Sequence, residues 1–336
     1  GLKYSESRNK AIYDFVYGFC LNKIESIMHT EKSICAVVVT FNRKALLLNC
    51  LNALKAQTHP LTHIVVIDNA STDGTADFLG EHGWTNNDAF TLITLPENMG
   101  GAGGFHEGIK YAFEQGFDYI WLMDDDGFPA ETCLEKLLPY TTENCYIGPV
   151  VIDCEDKEKL SFSLRLPNSL QVLDHYSDIP QSLKIDNQIK DTVLPFNGTL
   201  IGRDLVQQMG FPMQQYFIWG DEREYTLRAE AYRAKILTVI DALFYHPIAS
   251  SISEPMFFGK LRFNNAHSDL KQYCFCRNTI ATFAKHKGFI YALAFFVKTT
   301  WFYTFTQPSL SRLLFAWRAM WHGLTGDFSH HKDYLK

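Results

Sequence analysis

The sequence predicts an α/β protein built on a mostly parallel β-sheet. Short apolar runs recur at residues 34–40, 63–68, 90–95 and 119–123, and patterns of helical period fill the gaps between them. Runs of that length suit strands buried on both faces, and their alternation with helices means βαβ units. Polar clusters close three of the runs: Thr40-Phe41-Asn42-Arg43, Asp68 and Asp124-Asp125-Asp126. In such sheets ligands sit beyond the carboxyl ends of the strands, so the three clusters point to one crevice.

The elements follow in chain order. Residues 1–32 read as one or two amphipathic helices, with Ile12, Phe15, Val16, Phe19 and Ile24 at helical spacing. Charges run through this stretch and no clean apolar core of a secretory signal is seen, so a cytoplasmic protein with free thiols is expected. After the strand at 34–40 comes a helix carrying Ala45, Leu46, Leu48, Cys50, Leu51 and Leu54, which ends near Pro60. The strand at 63–68 leads to a helix that small polar residues at 72–75 can cap. The strand at 90–95 leads through a glycine-rich loop, residues 98–104, to a helix at 108–115. The strand at 119–123 ends in the three aspartates.

From 150 to 191 the pattern is mixed and polar, which predicts loops with short strands. A strand at 193–202, a helix at 222–234 and a strand at 236–240 complete the sheet region. Beyond Pro247 the character changes. Residues 289–305 are dense in aromatics with Lys298 as their one charge, and Leu310, Leu313, Leu314, Trp317 and Trp321 then recur at helical spacing. The division expected is 1–32, 33–250 and 251–336. With 336 residues and 46% apolar content the chain can bury a large core, and a net charge of −6 argues against a nucleic-acid partner.

Among residues able to do chemistry, the aspartate triplet is the sharpest. Three adjacent carboxylates at a buried strand end repel one another unless a cation or donors are present, and hard oxygen ligands suit Mg²⁺ or Mn²⁺. In an extended segment Asp124 and Asp126 point one way and Asp125 the other. The glycines after Asn98 would let backbone amides approach an anion at a helix N-terminus. Asp221 and Glu222 open a helix, either to complement its dipole or to supply a general base. His246 follows a strand and gains a ligand role only beside an acidic metal site.

These motifs, in this order, resemble the family 2 inverting glycosyltransferases of GT-A fold. The resemblance rests on residues 38–43, 66–75, Asn98 with its glycines, Asp124-Asp125-Asp126 and Trp219-Gly220-Asp221-Glu222, and it spans about residues 33–250. Residues 95–105 followed by 121–126 look most like the bacterial galactofuranosyltransferases, with rhamnosyltransferases as near relatives. The resemblance implies a GT-A catalytic domain flanked by a short N-terminal helical extension and a helical, aromatic-rich C-terminal appendage. It implies that Thr40, Phe41 and Arg43 line a uridine pocket, that Asp68 bonds the base, and that Asn98, Gly100 and Gly101 face ribose and diphosphate. Asp124 and Asp126 would bind the metal-diphosphate, Asp125 the ribose or donor sugar, and His246 would complete the metal shell. The family's catalytic aspartate falls on Glu222, a departure that keeps Asp221 a rival for base.

The activity so implied is metal-dependent transfer of galactofuranose from UDP-galactofuranose to a hydroxyl of a growing, lipid-linked bacterial surface glycan. The alternatives are a rhamnosyltransferase using dTDP-rhamnose and a non-catalytic module of the same fold. The aromatic and basic C-terminal segment then suits either the inner membrane face or a homo-oligomer contact.

Overall fold

Strand β1 (Ile34–Thr40) is buried along its whole length, as its unbroken β-branched run requires. It pairs in parallel with β2 (His63–Asp68) on one side and β4 (Tyr119–Asp124) on the other. The computed structural model describes residues 32–169, 171–248 and 253–335. The helical extension expected over residues 1–32 lies, but for its last residue, outside them.

Helix α1 (Lys44–Lys55) joins β1 to β2, α2 (Thr75–Glu81) joins β2 to β3 (Phe90–Thr94), and α3 (Gly100–Glu114) joins β3 to β4. The remaining strands of the large sheet are β5 (Phe128–Pro129), β6 (Cys145–Asp153), β7 (Lys159–Arg165), β8 (Val172–His175), β9 (Gln188–Lys190), β10 (Asn197–Gly202) and β11 (Lys235–His246). Short helices α4 (Cys133–Leu137), α5 (Gln181–Asp186) and α6 (Arg203–Met209) and the longer α7 (Asp221–Ala231) lie between them. The order β3-β2-β1-β4-β10-β6-β11-β5 turns outward in both directions from β1. A ligand crevice therefore opens beyond the carboxyl ends of β1 and β4, where the neighbouring connections diverge.

Several expectations are revised. The glycine-rich segment is not a loop: α3 starts at Gly100, and its glycines serve close packing. A Cβ at Gly104 would stand 2.5 Å from Val39 Cγ1, and one at Gly108 would stand 2.3 Å from Val37 Cγ1, so the absent side chains let α3 lie on β1. Strand β6 is nine residues long and buried throughout where loops were expected from residue 150. Gly148 and Pro149 disguise it. Pro149 is tolerated because β10 pairs only with Tyr146 and Ile147, leaving no partner that needs its missing N–H. Strand β11 outruns its expected end at 240, shifting register between Val239 and Leu243 and so reaching His246. No side chain caps α2; Asp73 instead accepts a hydrogen bond from Lys44 N at the start of α1 (3.2 Å).

The C-terminal region opens with a hairpin, β12 (Ser253–Met256) and β13 (Leu261–Asn264), before three helices: α8 (Asp269–His286), α9 (Phe289–Trp301) and α10 (Leu310–Thr325). Helix α8 buries Tyr273, Cys274, Cys276 and Ile280 against Ala316, Ala319 and Met320 of α10. No helix among the described residues is long and apolar enough to cross a membrane.

Candidate active site

Three strand ends supply one wall of the crevice. Thr40 Oγ1 donates to Asp125 Oδ2 at 2.6 Å, and the Arg43 guanidinium lies 3.2 Å from Asp125 Oδ1 and 2.7 Å from Asp126 Oδ2. One guanidinium thus holds two consecutive carboxylates. This corrects the expected alternation of the triplet, because β4 stops at Asp124 and Asp125-Asp126 turn. Asp125 is buried, with Oδ2 held by Thr40 and Oδ1 beside Arg43 but without a hydrogen bond of good geometry. Burial still pushes its carboxyl up to about 6 against the pull of Arg43. Burial and the charges of Asp126 and Asp125 push Asp124 further, to about 8.

Asp126 behaves differently. Burial works against its ionisation, but the hydrogen bond and charge of His246, with Arg43, outweigh it and hold the carboxyl below its usual range. His246 Nδ1 donates to Pro247 O at 2.6 Å, which turns Nε2 toward Asp126 Oδ1, 3.3 Å away. Burial lowers the imidazole's proton affinity, and the stronger effect of Asp126 raises it overall. Asp126 Oδ1 is buried with no hydrogen bond of good geometry. An orphaned carboxylate oxygen facing an imidazole nitrogen fits a divalent ion, since adjacent ligands of an octahedral Mg²⁺ or Mn²⁺ stand about 3 Å apart. The full shell of Asp124, Asp126 and His246 is not assembled. Among the described residues, ligand atoms of three such side chains come within 4.8 Å of one another only at His322, Asp327 and His330, at the C-terminal end. The pair Asp126 and His246 would be the chain's own contribution to such a site.

On the nucleotide side, Phe41 is 38% exposed beside Thr40. Asp68 is buried and accepts a hydrogen bond from Ser71 N at 3.0 Å, which fixes the turn after β2. Asn98 Oδ1 accepts from Gly100 N at 2.8 Å, so that carbonyl and that amide are spent on starting α3. Gly100 is also pressed on Phe217, whose carbonyl a Cβ would meet at 2.0 Å, which corrects its expected place against the diphosphate. Gly101 alone stays open. Asn69, which the sequence did not single out, staples this corner: its side chain donates to Gly100 O at 2.9 Å and accepts from Met99 N at 3.2 Å. Its position after a strand-terminal aspartate was the available signal.

The opposite wall is the start of α7. Asp221 is buried, and burial, the charge of Glu222 and a hydrogen bond to Glu222 raise its carboxyl well above the usual range, with Asp124 adding to the effect. Asp221 and Glu222 therefore form a close carboxyl pair in which burial favours the neutral form of Asp221. Glu222 lines a cavity of about 440 Å³ shared with Trp219, Arg223, Phe275, Thr279 and Phe283. Aromatic walls with a few hydroxyl and amide groups suit a sugar ring. Glu222 also figures among the charges that raise Asp124. The start of α7 therefore lies near the end of β4. Glu224, two residues on and so on another face of α7, is committed elsewhere, to Arg228, Lys285 and His286.

Comparison with known proteins agrees with this fold. Residues 35–201 match the model of glycosyl transferase family 2. The chain is 30% identical over 253 residues to galactofuranosyltransferase GlfT1 of Mycolicibacterium smegmatis, covering 74% of this chain and 82% of that protein. It is 27% identical to dTDP-rhamnosyl transferase RfbF of Shigella flexneri, covering 65% and 70%. Its fold is similar to a crystal structure of GalNAc-T7 with UDP, GalNAc and Mn²⁺, with a TM-score of 0.59 at 12% identity, over 88% of this chain and 56% of that one.

Proposed function

Because the chain belongs to glycosyltransferase family 2, we propose that it moves galactofuranose from UDP-galactofuranose to a hydroxyl of a bacterial surface glycan, inverting the anomeric centre. The observation that carries the reading is the Asp126–His246 pair at the carboxyl ends of β4 and β11, with Glu222 near enough for its charge to raise the neighbouring Asp124. Phe41 offers the uracil an aromatic face, and the second oxygen of Asp68 is left for the base. Asp126 and His246 hold a Mn²⁺ or Mg²⁺ ion. Such an ion, when bound, offsets the negative charge that grows on the departing diphosphate. Glu222 takes the proton of the acceptor hydroxyl as it attacks, and the protonated Asp221 orients Glu222. The cavity beside Glu222 seats the acceptor sugar.

The test is a donor screen on the full chain with Mn²⁺, comparing UDP-galactofuranose, UDP-galactopyranose, UDP-glucose and dTDP-rhamnose. The expected outcome is the largest thermal stabilisation and nucleotide release with UDP-galactofuranose. Preference for dTDP-rhamnose, which the similarity to RfbF makes the second reading, would replace the donor. No response to any donor would overturn the function.

A lipid-linked acceptor suits the outer face of the last helices. Ile290 (78% exposed), Leu310 and Trp321 stand open to solvent there, with Arg312 and Arg318 among them, a pattern of helices lying on an anionic lipid surface. The chain is expected to pellet with anionic vesicles, less so at high salt, and the double variant Ile290→Glu with Trp321→Glu is expected to stay in the supernatant. Equal pelleting of both proteins would overturn the contact, and a dimer broken by the variant would assign the face to a second copy.

A further inference from the structure

The segment that delivers Asp221 and Glu222 to the crevice is strained. Phe217 has φ 65° and ψ −66°, and Ile218 N donates to Tyr216 O at 2.8 Å, which makes a γ-turn of the rare, strained hand. Trp219 follows at φ 61° and Gly220 at φ 94°, so three of the four residues 217–220 lie in the left-handed half of backbone space. Two of these residues are large aromatics, for which that region is a genuine outlier. Strain of this kind persists only where the surroundings over-determine it.

The surroundings are two buried side chains of α8. The Asn278 amide nitrogen donates to Tyr216 O (3.0 Å), Ile218 O (3.1 Å) and Trp219 O (2.6 Å). Arg277 Nη2 donates to Tyr216 O (2.9 Å) and Gln215 O (3.3 Å). Arg277 Nε donates to Asn278 Oδ1 at 2.9 Å, which fixes the amide so that its nitrogen faces the carbonyls. Both side chains have no solvent exposure. Burying a guanidinium is costly, and this one directs its donors at backbone carbonyls, Phe328 O (3.0 Å) included, rather than at a carboxylate. Phe328 closes the arrangement from outside, with its ring stacked on Tyr216 and 5.1 Å beneath the guanidinium.

We propose that Arg277 and Asn278 are positioning residues that clamp residues 215–219 in the strained form that aims Glu222 at the reacting hydroxyl. The proposal rests on the reading of Glu222 as the base. Without the clamp the two aromatic residues relax toward ordinary φ values and the first turn of α7 moves. A displacement of 1 Å at a catalytic group costs on the order of a hundredfold in rate. Donor binding is spared, because Thr40, Arg43, Asp125, Asp126 and His246 hold one another and none lies on α8, while Ala102 N still ties Phe217 O to the start of α3 at 3.1 Å.

The experiment compares wild type with Asn278→Ala and Phe328→Ala. It reads hydrogen exchange of the 215–225 backbone, the Kd for UDP with Mn²⁺, and kcat for transfer. Asn278→Ala is expected to speed exchange in that segment about tenfold and to lower kcat at least about thirtyfold, with Kd within about twofold. Phe328→Ala, remote from the cavity and mild enough to fold where Asn278→Ala does not, is expected to lower kcat about fivefold with the same unchanged Kd. A merely structural role predicts a folded variant with normal kcat, or kcat and UDP affinity falling together; either result overturns the clamp. Wild-type turnover in the same assay separates the two ideas. Its absence overturns the proposed function, whereas a turning-over wild type with unimpaired variants overturns the clamp alone.

Discussion

Glu222→Gln lowers kcat about a thousandfold while the Kd for UDP with Mn²⁺ stays within about twofold. The amide keeps the size of the side chain in the cavity and its contact with Asp221, but it cannot accept the acceptor's proton. The neighbouring substitution gives the sharper discrimination. Asp221 is buried and its carboxyl is raised well above the usual range, and in the proposed reading it donates to Glu222. Asp221→Asn preserves a donor in that place and is expected to cost no more than about tenfold. Steady-state rates for both variants with a saturating acceptor decide the matter. If Asp221→Asn is the dead enzyme and Glu222→Gln turns over, the base is Asp221 and the longer glutamate only supports it.

Asp126→Asn is expected to weaken Mn²⁺ binding at least about a hundredfold and to lower turnover at limiting metal to match. The substitution leaves a neutral ligand beside His246 and removes the charge that raises that imidazole's proton affinity. Chelation of the wild type should abolish transfer, and added Mn²⁺ should restore it. Calorimetry in buffers of different ionisation enthalpy supplies a second reading of the same site. Burial and neighbouring carboxylates push Asp124 up to about 8, so a cation bound beside it at Asp126 and His246 should favour its ionised form and release protons. Transfer that survives chelation, or wild-type metal affinity in Asp126→Asn, would remove the ion from the mechanism.

The clamp on residues 215–219 and the metal pair share a physical theme. Each places a costly arrangement, a left-handed aromatic or a crowded set of carboxylates, where the surrounding fold can hold it. Local rules of sequence fail at such points for a reason: the compensation is supplied by residues far away in the chain, such as Asn278 for Trp219 and His246 for Asp126.

The sequence by itself determined the parallel strands β1, β2, β3 and β4, because unbroken β-branched runs between helical patterns have few other uses. It also determined the family, since five motifs in order, with polar residues at strand ends, survive any uncertainty about loops. Tertiary structure alone decided how those residues are directed and paired. Carboxylate directions at Asp124-Asp125-Asp126 depend on where β4 stops and on Arg43, which reaches across from the end of β1. The purpose of the glycines in α3 depends on how closely that helix lies on Val37 and Val39. Strand β6 was hidden by Gly148 and Pro149, whose tolerance depends on the reach of a neighbouring strand. Local pattern reports what a segment prefers; direction, pairing and proton affinity are set by neighbours that the chain brings in from a distance.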